Sequence, residues 1–254
     1  MLIRYSPVKN GKPVQKAVIY TREEHGINKN MVSENALKIL SRLREFGFEA
    51  YIVGGAVRDL MLGKTPKDFD IVTGAVPLKI KKIFRNSRII GKRFRLVHIF
   101  FGDDIYEVST FRSLEAGTIG NLFGTMDEDV QRRDFTLNAL YYDPIKEQII
   151  DYVGGVKDIR SHKIKPVIPL NTIFRDDPVR IVRAIKYSAI TGFPLGFSLR
   201  RAIVKSSVLL GPVSPSRLTE EIIKILNSGK AFDIVSLAIK LNVYMELQPA
   251  ASAF

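Results

Sequence analysis

Apolar residues recur along this chain at two different spacings, and the change from one to the other marks its organisation. After Ser33, Leu37, Leu40, Leu43 and Phe46 follow at intervals of three. That spacing predicts a helix with those four side chains inward, Ser33 as its N-cap and Gly47 as its stop. A short strand over 49–53 comes next, then Gly54-Gly55, then a helical stretch over 56–62 closed by Gly63. The order strand, glycine turn, helix is followed by a second strand through KDFDIVT, a helix over 77–84, and a hairpin of 96–101 and 105–110 around Gly102-Asp103-Asp104. Strands near 139–142 and 148–151 complete a mixed sheet. Beyond Gly154-Gly155 the pattern becomes helical throughout, with helices expected over 178–191, 198–210, 214–226 and 231–241.

The expected architecture is therefore α+β. A polar, basic arm over 1–31 that packs loosely or orders on RNA precedes a mixed-sheet head over 32–155 and an all-helical domain over 156–254. The segment 113–124 holds three glycines and little pattern, so it is expected to be a mobile loop beside the site.

Composition narrows the function. The chain has 254 residues, 46% of them hydrophobic, and no cysteine, which excludes a disulfide framework and a thiolate metal site and suits a reducing, cytoplasmic setting. It has no apolar run of transmembrane length, and no continuous apolar leader is expected at its start. Lys plus Arg number 39 against 26 for Asp plus Glu, a net charge of +13. A surface so charged attracts polyanions. No acidic residue occurs between Ile71 and Gly102, while Lys79, Lys81, Lys82, Arg85, Arg88, Lys92, Arg93 and Arg95 all do. The simple alternative is a solvated basic face.

The chemistry concentrates in GGAVRDLMLGKTPKDFDIVT. On an extended chain Asp68 and Asp70 project from one face, roughly 6.6 Å apart, with Phe69 and Ile71 toward the core. Two such carboxylates suit Mg²⁺, a hard cation that takes oxygen ligands. Gly54 and Gly55 let backbone approach a triphosphate closely, and Arg58 adds a cationic fork. Either half alone is ordinary, but together they join phosphate donors to metal ligands. A third carboxylate is offered by Glu107 on its strand or by Asp134 beside Arg132, Arg133 and Asn138. Further on, Asp177, Arg180 and Arg183 recur every three positions, along one side of a helix. A carboxylate beside a guanidinium matches the exocyclic amine and ring nitrogen of adenine or cytosine, so side chains can select a base without a template. The plain alternative there is a surface ion pair. His98 is read as a packed or substrate-contacting imidazole.

The motifs VGGAVRDLMLG, KDFDIVT, YEVSTFR, DEDVQRRDFTLNA, YVGGVKDI and FRDDPVRIVRA, in this order, resemble the bacterial members of the class II tRNA nucleotidyltransferase and poly(A) polymerase family, within the polymerase-beta-like nucleotidyltransferase superfamily. The flanking segments look like the poly(A) polymerase branch rather than the CCA-adding branch. The resemblance implies a nucleotidyltransferase head and a helical neck that is truncated relative to the family. It implies that Asp68 and Asp70 hold Mg²⁺, with Asp134 an active-site carboxylate and Glu107 the competing third ligand. Gly55, Arg58 and Arg133 would contact triphosphate, Asp177 and Arg180 would read the base, and Arg183 would support the nucleotide. The implied reaction adds AMP from ATP to RNA 3′ ends, with RNA as partner and neither DNA nor membrane expected. The alternatives are CCA addition to tRNA and an RNA-binding protein with little turnover.

Overall fold

The structure, a computed structural model, describes residues 2–6, 14–91, 95–114 and 123–248. The chain divides into two compact units, 1–156 and 157–254.

Among the described residues the first unit is built on one nine-stranded sheet. Its strands are β1 (Leu2–Ser6), β2 (Val14–Tyr20), β3 (Ala50–Val53), β4 (Asp70–Thr73), β5 (Ser87–Ile90), β6 (Leu96–Phe101), β7 (Asp104–Thr110), β8 (Leu140–Asp143) and β9 (Gln148–Asp151). Their spatial order is β1-β2-β9-β8-β3-β4-β7-β6-β5. Neighbours run antiparallel except β4 and β7, which pair in parallel with Ile71 opposite Val108. Among the described residues six α-helices belong to this part of the chain: α1 (Arg22–His25), α2 (Glu34–Glu45), α3 (Gly55–Met61), α4 (Pro77–Ile83), α5 (Met126–Arg132) and α6 (Gly155–Arg160), the last crossing the boundary between units.

Strand alternation sorts the central sheet into two apolar faces. Tyr51 and Val53 of β3, Val72 of β4, Tyr141 of β8 and Ile150 of β9 share one cluster with Phe111, and Met126 and Val130 of α5 close over it. Ile52 and Ile71 face the other way and are fully buried, as are Ile39, Leu40 and Leu43 of α2 and Ile80 of α4. Burying each such side chain contributes about 1.5–3 kcal/mol.

The expectation of a loose arm is corrected. Val18, Ile19 and Tyr20 of β2 pair with Asp151, Ile150 and Ile149 of β9, and Ala17 and Ile19 lie in the core cluster. The two apolar positions alternate at strand spacing, but the run is too short to stand out among its lysines. Residues 7–13 of that arm, 92–94 of the basic window and 115–122 of the expected loop lie outside the described residues. Phe46, expected inward, is half exposed beneath the Arg42 guanidinium, 4.7 Å from its ring centroid. It is the C-cap of α2, where the helical face has already turned toward solvent.

Asp151 fixes the last turn of the first unit. Its carboxylate accepts the N–H groups of Val153, Gly154, Gly155 and Val156 at 2.8–3.0 Å, which satisfies donors that a helix start leaves unpaired. Only glycine fits at 155, because a Cβ there would stand 2.3 Å from the Thr136 carbonyl oxygen.

The second unit is helical: α7 (Ile173–Asp176), α8 (Val179–Thr191), α9 (Phe197–Ser206), α10 (Pro215–Leu226), α11 (Ala231–Lys240) and α12 (Tyr244–Leu247). Helix α8 is its centre, packing against α10 and α11 with Ile181, Val182, Ala184 and Ile185 buried.

Candidate active site

The glycine turn sits where β3 gives way to α3. Gly54 has φ +73°, a left-handed conformation that a side chain would strain, and its surroundings explain why none is wanted. A Cβ there would lie 3.7 Å from Asp70 Oδ2 and 4.0 Å from Arg133 Nη1. One carboxylate and one guanidinium therefore flank the bare backbone. Val53 opposes Asp70 in the β3–β4 ladder, so the sheet itself sets this distance.

Arg133 is held by α5 and β8. Its Nη2 and Nε donate to Asp129 Oδ2 at 2.9 and 3.2 Å, and its Nε also donates to the Tyr141 hydroxyl at 2.9 Å. Tyr141 donates in turn to Asp129 Oδ2 at 2.6 Å. Burial alone would pull the guanidinium's pKa down, but Tyr141 and Asp129 beside it push it above the ordinary arginine value. Arg133 stays charged. Burial also raises the Tyr141 phenol far above its usual range, so it remains a neutral donor. Helix α5 starts on a capping box between Thr125 and Glu128, which fixes the helix that carries Asp129.

Arg58 lies under the other glycine. Its Nη2 would be 3.4 Å from a Cβ on Gly55, while Nε donates to Asp59 at 2.9 Å and Nη1 to Asn138 Oδ1 at 2.9 Å. The Asn138 carbonyl accepts from Arg133 Nη1 at 3.3 Å. Asn138 thus links the two arginines behind the Gly54-Gly55 turn. Arg58 is 6% exposed and lies directly beneath the turn.

The strand expected through Asp68 begins only at Asp70. Asp68 and Asp70 are both exposed, with Phe69 half-buried and Ile71 fully buried. Extending the β4–β7 register one position sets Glu107 beside Asp70. Among the described residues no three acidic or histidine side chains are gathered into one group, whether Glu107 or Asp134 is taken with Asp68 and Asp70. Glu107 lies across the β6–β7 pair from His98, 3.6 Å from its Nε2. Asp134 is buried, and its carboxylate accepts the Phe135 N–H at 2.7 Å. Two exposed oxygen-donor side chains at a strand end still fit Mg²⁺, which is commonly held by one or two carboxylates plus substrate phosphates.

In the second unit Asp177 precedes α8 instead of riding on it, so the expected single helical face is also corrected. Its carboxylate accepts the Val179 N–H at 3.3 Å and both oxygens accept from Arg217 Nη2 of α10 at 2.9 Å. Arg180 Nη1 donates to the Ile173 carbonyl at 3.3 Å. Arg183 donates to Glu221 Oε1 at 2.9 Å and Lys186 to Oε2 at 2.7 Å. Glu221 is 2% exposed. Burial would raise its pKa, but Lys186 and Arg183 hold it below the usual carboxylate range. Arg217 and Glu221 were missed because their partners lie 38–40 residues away, beyond any local spacing. Asp129 had a signal, four residues before Arg133, the C-cap of the same helix.

Comparison with known proteins now settles the lineage. Residues 50–165 match the family described as Poly A polymerase head domain, and residues 192–254 match that described as "Probable RNA and SrmB- binding site of polymerase A". Poly(A) polymerase I of Escherichia coli O6:H1 is 39% identical over 255 residues, covering 94% of this chain and 55% of that protein. The chain belongs to the tRNA nucleotidyltransferase and poly(A) polymerase family. A CCA-adding enzyme of Lactobacillus helveticus is 37% identical, covering 78% of this chain and 52% of its own length. The crystal structure of the Bacillus stearothermophilus CCA-adding enzyme in complex with CTP superposes with a TM-score of 0.73 at 35% identity, over 82% of this chain and 52% of that one. The fold is thus a nucleotidyltransferase head with a helical region. The chain spans about half the length of the curated relatives it matches. No helix among the described residues is long and apolar enough to cross a membrane.

Proposed function

We propose that this chain is the head and neck of a template-independent nucleotidyltransferase, a cytoplasmic protein that transfers AMP from ATP to RNA 3′ ends. The observation that carries the reading is the Gly54 turn flanked by the Asp70 carboxylate and the Arg133 guanidinium. A triphosphate needs close backbone, fixed positive charge and a route to metal-holding carboxylates, and these converge there.

In this mechanism the RNA 3′ hydroxyl releases its proton to solvent as its oxygen forms a bond to the α-phosphorus of ATP, the bond from that phosphorus to the bridging oxygen breaks, and pyrophosphate leaves. Asp68 and Asp70 would hold Mg²⁺, which when bound neutralises phosphate charge. Arg133, kept charged and oriented by Asp129 and Tyr141, stabilises the triphosphate, and Arg58 supports the glycine turn with its own positive charge. Asp177 and Arg180 offer acceptor and donor to the adenine edge. Arg183 steadies α8 through Glu221. Asp134 organises the backbone after Arg133, and Glu107 borders Asp70. Positioning and charge neutralisation supply the rate.

Adenylation is favoured over CCA addition by the matches to poly(A) polymerase I, which cover 87–94% of the chain against 76–78% for the CCA-adding relatives. The test supplies Mg²⁺ with ATP alone or CTP alone to a generic labelled RNA and to a tRNA lacking its terminal CCA. A ladder with ATP on the generic RNA is expected, lowered on the order of a thousandfold by Asp70→Ala. CTP incorporation confined to the trimmed tRNA would favour CCA addition. No extension with retained RNA binding would favour a binding protein.

A further inference from the structure

The two arginines at the glycine turn carry like charges and come from different elements, Arg58 from within α3 and Arg133 from the C-cap of α5. Both meet Asn138. Arg58 Nη1 donates to its side-chain Oδ1 at 2.9 Å, and Arg133 Nη1 donates to its main-chain carbonyl at 3.3 Å. One residue thus gives an acceptor to each cation. Asn138 is buried and closes a single 3-10 turn over Thr136–Asn138, beside the fully buried Phe135 and Leu137. Its N–H donates to the Phe135 carbonyl at 3.0 Å, and the Thr136 carbonyl of the same turn is the atom against which Gly155 packs. The backbone itself therefore fixes both acceptors.

From this arrangement we infer that Asn138 is a positioning residue for the triphosphate, whose two oxygens hold the Arg58 and Arg133 guanidiniums at a fixed spacing behind the Gly54-Gly55 turn without cancelling their charge. The inference rests on the reading of that turn as a triphosphate site, and it adds the residue that sets the spacing of its cations. The charge balance calls for a neutral acceptor. Arg58 is paired with Asp59 and Arg133 with Asp129, at 2.8 and 2.9 Å, so within this group two cations already face two carboxylates. A carboxylate at 138 would turn the group net negative, and away from bulk water that charge would repel a polyphosphate. An apolar side chain there would take the acceptor from a buried guanidinium nitrogen and leave the like charges free to part. Asparagine meets both demands. Donors aimed before the ligand arrives need no reorganisation when phosphate charge shifts in the reaction.

Isothermal titration calorimetry of the full chain with ATP, AMP and inorganic tripolyphosphate, in Mg²⁺ buffer and without RNA, reads this role apart from turnover. Asn138→Leu is expected to weaken ATP and tripolyphosphate alike by roughly tenfold and AMP by less than about twofold, because the loss falls on the outer phosphates. Asn138→Asp keeps an acceptor for Arg58 and is expected to melt with the wild type, yet to lose tripolyphosphate affinity on the order of a hundredfold. In single-nucleotide addition both variants should raise KM for ATP more than they lower kcat. A bond that served only to satisfy Arg58 would behave differently: Asn138→Asp would keep wild-type affinity, and Asn138→Leu would weaken AMP as much as ATP. Either result, or unchanged tripolyphosphate affinity in both variants, would overturn the inference. Should Asn138→Leu fail to fold, the Asn138→Asp arm decides alone. Wild-type protein that adds no AMP to RNA, while the variants still lose tripolyphosphate affinity in this pattern, would sink the adenylation reading and leave the role of Asn138 standing.

Discussion

Replacing Asp129 with Asn isolates what holds Arg133 against the glycine turn. Asp129 is 6% exposed and its Oδ2 accepts from two nitrogens of Arg133 and from Tyr141, while Oδ1 accepts the Arg112 N–H at 3.2 Å. Asparagine keeps one acceptor and turns an N–H₂ group toward donors on the other side. Breaking a buried ion pair from one partner costs about 3–5 kcal/mol. The Arg133 side chain is 20% exposed and can reach some water, so the expected loss is nearer about 3 kcal/mol. For a unit of this size that corresponds to a fall in Tm of about 6–12 °C. Tyr141→Phe removes a hydroxyl that Arg133 and Asp129 can do without, since they still contact each other, and should cost about 1 kcal/mol. Differential scanning calorimetry on both variants gives the comparison, and KM for ATP should rise about tenfold in Asp129→Asn as the guanidinium leaves its place. If the two variants melt together within about 2 °C, Asp129 is not the counter-charge that positions Arg133, and the electrostatic account of the turn fails.

Two further outcomes follow from the geometry. Burial holds His25 below its ordinary pKa, with Nδ1 accepting the Ile27 N–H at 3.0 Å and Nε2 facing the Glu147 carbonyl. The unfolded chain protonates first, so this contribution to stability is complete above about pH 6.5 and declines as pH falls below it toward the folded value; His25→Gln should flatten that slope in urea titrations at several pH values, and an unaltered slope would refute the assignment. Arg217→Ala frees the Asp177 carboxylate at a stability cost of at most about 1 kcal/mol, because the pair is partly exposed. Its expected signature is a several-fold loss of preference for ATP over CTP in single-nucleotide addition, and equal preference in variant and wild type would remove Arg217 from base selection.

The local order of the chain was enough to determine the elements around the site. The run Tyr51-Ile52-Val53-Gly54-Gly55 specifies strand, left-handed turn and helix within a few residues, and the hairpin around Gly102 does the same, because turn chemistry and side-chain alternation are short-range. The helices of the second unit were legible for the same reason, since a buried stripe must repeat every three to four residues. Tertiary structure decided what the charges face. Asp177 pairs with Arg217, Arg183 with Glu221, Arg58 with Asn138 and Glu107 with His98, across separations that spacing does not encode. The place of β2 beside β9 was likewise hidden, because a strand at the side of a sheet is selected by a partner about 130 residues away. Motifs name the groups that carry chemistry, but the partners that orient those groups are chosen by packing, where low dielectric makes every unpaired charge costly.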